Sequence, residues 1–514
     1  MSLLRTGEPM SVSNSARRVS QPPSALPASP DARLDRMPTG IPGLDHLLDG
    51  GLVRANSLLI EGSPGSGKST LATQILYEGI QQFGEPGLII TFEEFPKQLY
   101  ADAMQFGMDL ERQERDGKLR VVWTPPERIL GNFTGRIDLI DRIVEEMHVR
   151  RLVIDSITHF KRVATDETKL REILGCILNN LKIKGVNAVL VKELERMDSE
   201  TIAFEEYLVD ASLRLYELPN PGGGENVRTI EVRKTRGQPH VSGQHPFQLD
   251  GGVRIFPRLR PADIEAKFRE RPNVERKRVP MGSHGIDTLL DGGLWNGSLN
   301  LISGQPGTGK SVVAYHFLNA GLEAGENTML LSIKSPPDEI MAQAKSLNMD
   351  WSNAYDASAL RILHHPPVGL CVEEMLDSLV RAIVEQRPAR LVFDSIDDLW
   401  SAVKNADRVR DYIVGLTTLF RASGTTSVLL NQVRRLHGDH TGDVDDYAYL
   451  ANTVLRLRVD RDFETLTRYM WVEKHAGSNH PKKVFAYDID ENGIRVRLER
   501  LSADSTLGGG AQVE

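Results

Sequence analysis

Along this chain the apolar residues gather in short unbroken runs, set apart by stretches in which they recur every three or four positions. In the first half the runs are Leu58 to Ile60, Leu88 to Phe92, Leu152 to Ile154 and Ala188 to Val191. Between them the spacing is helical, and one segment places Ile137, Ile140, Val144 and Met147 on a single face. A strand without polar alternation is buried on both sides, so these runs predict a largely parallel sheet flanked by helices. The second half repeats the pattern with Leu299 to Ser303, Met329 to Ser332, Leu391 to Phe393 and Ser427 to Leu430. Both halves therefore read as α/β.

The repetition is literal. Arg36 to Leu52 reads RMPTGIPGLDHLLDGGL, and Arg278 to Leu294 reads RVPMGSHGIDTLLDGGL. The glycine-rich motifs described below put their lysines, Lys68 and Lys310, 242 residues apart, too long for a solenoid unit and right for a duplicated domain. The expected layout is a first domain over 36–258, a linker over 259–277 and a second domain over 278–500. Residues 1–35, rich in Ser, Pro and Ala, read as disordered, and 501–514 as a short tail. The linker is charged, carries prolines and has weak apolar periodicity.

Composition narrows the function classes. A chain of 514 residues at 40% hydrophobic and 26% charged is globular, with room for two or three cores. Its formal charge of −8 disfavours a surface built to coat nucleic acid or an anionic membrane. Two cysteines, far apart, exclude a disulfide framework and suit a reducing compartment, so the cytoplasm is the expected location. No apolar stretch approaches the roughly 20 residues of a membrane span.

Two segments fit the phosphate-binding pattern G-x-x-x-x-G-K-[ST]. They are Gly62-Ser63-Pro64-Gly65-Ser66-Gly67-Lys68-Ser69, followed by Thr70, and Gly304-Gln305-Pro306-Gly307-Thr308-Gly309-Lys310-Ser311, followed by Val312. Each follows an apolar run and opens a helix. Glycines let backbone N–H groups wrap phosphates, the helix N-terminus adds partial positive charge, the lysine meets the terminal phosphates, and the serine hydroxyl ligates Mg²⁺. Chance can supply one such loop far more easily than two in the same context. Each copy also has a run ending in aspartate, RLVID with Asp155 and RLVFD with Asp394. A buried strand delivers such an acid to the carboxyl edge of the sheet, where it can orient a Mg²⁺-bound water. Taken singly, an aspartate there is more often a helix cap; its recurrence favours the metal. In the first copy Glu93 and Glu94, in TFEEFP, would face the terminal phosphate and could take a proton from attacking water. The matching SIKSPP offers Lys334 and Ser335 instead.

Together, PTGIPGLDHLLDGGL, GSPGSGKST, LIITFEEFP, RLVIDSIT and VRKTRGQPHVSGQHPF with the IFP that follows resemble the KaiC family of RecA-superfamily ATPases. The resemblance spans both repeats. It implies two tandem RecA-like P-loop domains, each a mostly parallel sheet flanked by helices, and a double-ringed homohexamer with ATP and Mg²⁺ bound between neighbouring subunits. It gives Glu93 and Glu94 the catalytic positions, and Lys234 and Arg236 the positions that reach a neighbour's ATP. The second copy departs from it: Lys474 stands where Lys234 does, but Ala476 replaces the arginine. Where the clock members of the family carry a phosphorylated Ser and Thr, the resemblance aligns Ala448 and Tyr449 of this chain.

The expected activity is therefore a Mg²⁺-dependent ATPase, with hydrolysis in the first domain and nucleotide held by Lys310, Ser311 and Asp394 in the second as a structural or sensory element. The rivals are a clock-type autokinase and phosphatase, using Thr441, Thr453 or Ser335 as acceptor, and a DNA-dependent RecA-like motor, which the acidic charge disfavours. A nucleotide-gated scaffold for an unidentified signalling protein is compatible with the ATPase reading.

Overall fold

The computed structural model describes residues 35–130, 138–162, 166–194, 204–219, 226–269, 277–403, 405–432, 448–461 and 465–498. The N-terminal segment 1–34, Ile137, Thr441 and the tail 501–514 lie outside the described residues.

Among the described residues each repeat builds one nine-stranded sheet. In the first the order runs Leu119–Trp123, Gly87–Thr91, Arg151–Asp155, Asn187–Glu193, Ser57–Gly62, Ala211–Leu218, Val227–Thr235, Gln244–Gln248 and Arg254–Ile255. The six strands from Leu119–Trp123 to Ala211–Leu218 are parallel, and the last three turn antiparallel. The second sheet follows the same plan, from Leu360–His364 through Thr328–Ser332, Arg390–Asp394, Thr426–Gln432, Leu299–Gly304 and Thr453–Arg461 to Leu466–His475, Phe485–Asp490 and Gly493–Val496. The chain is thus two tandem α/β domains of the expected kind. The unbroken apolar runs account for the parallel part: Leu58, Leu59, Ile60, Leu152 and Ile154 are fully buried, with helices on both faces. Ile140 and Val144 pack into that core from the helix Asp138–Met147, with Met147 partly buried beside them.

Both copies rest on one buried cation. Arg151 opens a central strand at 1% exposure, pairs with Glu85 at 2.7 Å and donates to the carbonyls of Ile75 and Pro38 at 2.8 Å each. Arg390, at 2%, does the same with Glu326 at 2.6 Å and with the carbonyls of Pro280 and Phe317. The guanidinium can lie against its helix because that helix offers glycine. A Cβ on Gly79 would stand 2.3 Å from Arg151 Nε, and one on Gly321 2.6 Å from Arg390 Cδ.

Within 259–277 the chain is not featureless. Pro261–Lys267 forms a helix that lays Ile264, 1% exposed, into the second domain's core against Ala406–Ser423, with Leu259 and Phe268 packed alongside. Gln248 bonds Glu374 at 2.7 Å, and Arg254 pairs with Asp377 at 3.5 Å, tying the first sheet's antiparallel edge to a second-domain helix. Among the described residues no helix is long and apolar enough to cross a membrane.

Candidate functional site

Strand ends bring the sequence-predicted residues together at the carboxyl edge of each sheet. The phosphate loop leaves Ser57–Gly62 and turns through Gly65 and Gly67, both at positive φ (78° and 93°), into the helix Lys68–Phe83. Gly307 and Gly309 repeat the turn at 79° and 83° before Lys310–Glu323. These left-handed values explain why the pattern demands glycine. Each loop is closed by its own lysine, Lys68 Nζ donating to Ser63 O at 2.7 Å and Lys310 Nζ to Gly304 O and Gln305 O at 2.9 and 3.0 Å. Burial lowers the proton affinity of both ammonium groups.

The expected metal pairs also meet. Ser311 Oγ donates to Asp394 Oδ2 at 3.0 Å, and the Ser69 hydroxyl lies close enough to Asp155 to favour its ionised form. Burial raises the pKa of both carboxyls, against the opposing pull of the serine hydrogen bond and the loop lysine. A hydroxyl and a carboxylate oxygen touching at the mouth of an anion cradle are hard oxygen donors of the type Mg²⁺ takes. Ser69 with Asp155, and Ser311 with Asp394, therefore fit the divalent ion that phosphate chemistry requires.

The loop carrying Glu93 and Glu94 has one shape in both copies. Thr91 Oγ1 bonds Glu94 O and Glu94 N at 3.3 and 3.2 Å, and Ser332 Oγ bonds Ser335 O and Ser335 N at 2.8 and 3.1 Å. Phe92 N donates to Asp155 O at 3.2 Å, and Ile333 N to Asp394 O at 3.0 Å. Glu93 Oε1 pairs with His159 Nε2 at 2.9 Å, while Lys334 Nζ pairs with Asp398 Oδ1 at 3.3 Å. The charge of the first partner is thus reversed in the second copy. Glu94 has a raised pKa, from partial burial first and then from Asp155, Asp102 and Glu93.

Lys234 and Arg236 do not touch this site within their own chain. Lys234 Nζ bonds Glu206 O and Val209 O at 2.5 and 2.9 Å, and Arg236 bonds Tyr207 O at 2.5 Å, which holds both at the end of Val227–Thr235. Lys474 is held alike, on Ala448 O and Tyr449 O at 3.3 and 3.1 Å, with Ala476 two positions on.

Sequence reading missed His159, Asp397, Asp398 and Glu193. Glu193, at the end of Asn187–Glu193, acts electrostatically on Lys68 more strongly than Asp155 does; the matching strand ends in neutral Gln432. Thr158 Oγ1 accepts from Glu193 N at 3.1 Å, and Asp397 takes over that clamp on Gln432 N. The signal was available: Thr158-His159 and Asp397-Asp398 stand at the same offset after Asp155 and Asp394.

A family model described as "ATPase: KaiC" matches residues 37–260 and again 279–500. The chain belongs to the KaiC family. Full-length KaiC relatives align along nearly the whole molecule. "Circadian clock oscillator protein KaiC" of Thermostichus vulcanus is 28% identical over 489 residues, 93% of this chain and 92% of that protein. The proteins of the same description from Acaryochloris marina (28% over 482 residues, 92% and 90%) and Synechococcus elongatus (27% over 486, 92% and 91%) align similarly. Membership in a family of ATPases agrees with two phosphate loops set against two serine–aspartate pairs.

Proposed function

We propose that this chain is a Mg²⁺-dependent KaiC-like ATPase that hydrolyses ATP at the first site and holds ATP at the second as a structural or sensory element of a cytoplasmic, homohexameric signalling ring. One observation carries the reading: two loops of the same shape present Glu93 and Glu94 in one copy and Lys334 and Ser335 in the other, beside equivalent lysine, serine and aspartate groups.

Bound Mg²⁺–ATP would supply the scissile γ-phosphoryl group and a divalent charge to offset the negative charge of the phosphates. Around it the backbone of Gly62 to Thr70 would cradle phosphate, Lys68 would exchange its loop carbonyl for phosphate oxygen, and Ser69 with Asp155 would hold the metal. Glu94, whose proton affinity is raised, is the better placed of the two glutamates to take the proton from attacking water. Glu93, tied to His159, orients that edge of the loop. Lys234 and Arg236 complete a neighbour's site from the end of their strand, which makes turnover depend on assembly. In the second copy Gly304 to Val312, Lys310, Ser311 and Asp394 bind, and Lys474 reaches across in place of Lys234.

A clock-type autokinase would need a base at the second site. Lys334 and Ser335 supply no carboxylate, while Asp397 and Asp398 are engaged by the Gln432 amide and by Lys334 with Ser395. The test is incubation with γ-labelled ATP and Mg²⁺, separating free phosphate from label on protein. Free phosphate that vanishes in Glu93→Gln/Glu94→Gln, with negligible protein label, is the expected result. Stoichiometric label on the second domain would overturn it.

A further inference from the structure

Lys334 sits where a cation changes what its site prefers. It leaves the backbone at the same point as Glu93, between equivalent turns, and its ammonium acts electrostatically on Lys310, Asp394 and Asp397. Its side chain is 57% exposed, while its partner Asp398 is 8% exposed and is held a second time by Ser395 Oγ at 2.8 Å. A half-exposed cation thus rests on a nearly buried anion beside the phosphate-loop lysine. The carboxylates that would draw a proton from water are absent from this loop.

We propose that Lys334 makes the second site selective for a nucleoside triphosphate: its ammonium rests on Asp398 and transfers to the terminal phosphate when a triphosphate enters, so the site holds ATP more tightly than ADP. This rests on the reading that the second site binds nucleotide. The exchange makes and breaks only ionic hydrogen bonds. The lysine trades a carboxylate partner for a more highly charged phosphate, and Asp398 keeps its bond to Ser395. A diphosphate offers no oxygen at that point, so the lysine stays where it is.

The test uses the full chain carrying Lys68→Ala, so that the second site dominates, with a fluorescent ADP analogue displaced by ATP or by ADP in Mg²⁺. ATP should bind more tightly than ADP by roughly 10- to 100-fold, the range of a charged hydrogen bond. Lys334→Met should bring the ratio to within about threefold while leaving ADP affinity nearly unchanged, and Lys334→Arg should recover most of it. Asp398→Asn removes the resting partner and should raise ATP affinity, moving the ratio the opposite way. If Lys334 only pins its loop, the ratio will not move and Lys334→Met and Asp398→Asn will behave alike, which overturns the proposal. Binding with an unmoved ratio sinks the lysine's role alone. No binding above a Lys310→Ala blank sinks the second-site reading as well. Should Lys68→Ala fold poorly, the difference between isotherms of the unsubstituted and Lys310→Ala chains yields the same ratio.

Discussion

The two halves of this molecule share the arginines that brace the sheets and the lysine, serine and aspartate of the phosphate loops, and differ in the side chains that neighbouring strand ends set beside the expected terminal phosphate. Arg151 and Arg390 each close a strand onto a helix with three equivalent bonds, and Ser69–Asp155 and Ser311–Asp394 superpose in role. Beside the loops the chemistry diverges. Glu93 on His159 becomes Lys334 on Asp398, Glu94 becomes Ser335, and Glu193 becomes Gln432. One step behind the loop, Glu61 is ion-paired to Arg214, with the Lys192–Glu205 pair on the neighbouring strand; the second copy has a hydrogen bond from Asn431 to Ser303. One scaffold therefore supports a first site rich in titratable carboxylates and a second in which a lysine and neutral groups replace several of them. Duplication leaves the sheet intact while side chains at strand ends are free to change, because those positions face solvent and ligand rather than the core.

The largest expected effect separates the two glutamates. Glu94→Gln should lower hydrolysis by roughly 10²- to 10⁴-fold, the usual worth of a positioned base, and Glu93→Gln by about tenfold or less, measured as phosphate release by assembled protein. Equal losses would mean that the His159 pair is not what distinguishes them. Ser335→Ala should leave release within about twofold. Next in size is the part the halves share. Arg151→Met and Arg390→Met each leave two carbonyls without their donor and remove one ion-pair partner, Glu85 keeping Arg54 and Glu326 being partly exposed, at a cost of about 3 kcal/mol. Denaturant unfolding of each variant checks this. A difference above about 2 kcal/mol between them would break the equivalence of the two frameworks.

Much of the site was legible in the sequence because phosphate chemistry fixes residue types at short spacing. The glycines, lysines, serines and terminal aspartates of both copies are found together as expected. His159 and Asp398 were not foreseen, since each meets its partner only when neighbouring strands end level, Thr91 beside Asp155 and Ser332 beside Asp394. The antiparallel pairing of Ala211–Leu218 with Val227–Thr235 was missed for a different reason. Their apolar residues alternate with Arg214, Glu231 and Arg233, and so lack the unbroken apolar run that marks the other parallel strands. In 259–277 a single turn-spaced set, Leu259, Ile264 and Phe268, is too sparse to declare a helix, yet one buried isoleucine suffices to dock it.

The smallest effect compares the two sites along the pH axis. Asp155 and Asp394 both have raised pKa values from burial, so an acid limb common to both sites belongs to them, and Mg²⁺ competes with the proton for the same oxygens. Glu94 adds a second limb at the first site only. It must be ionised to accept a proton, and partial burial with Asp155, Asp102 and Glu93 holds that ionisation above the ordinary glutamate range. Hydrolysis should therefore fall by a few-fold more than nucleotide retention at the second site as pH drops, because only the first site carries this added limb. Glu93→Gln removes one negative neighbour and should displace the limb downward, by less than the two aspartates still hold it up. The profile of phosphate release against pH, taken alongside nucleotide retained after rapid gel filtration, reads both quantities from one preparation. Parallel decline of the two would assign the whole limb to the shared aspartates and remove the pH evidence for Glu94 as the base.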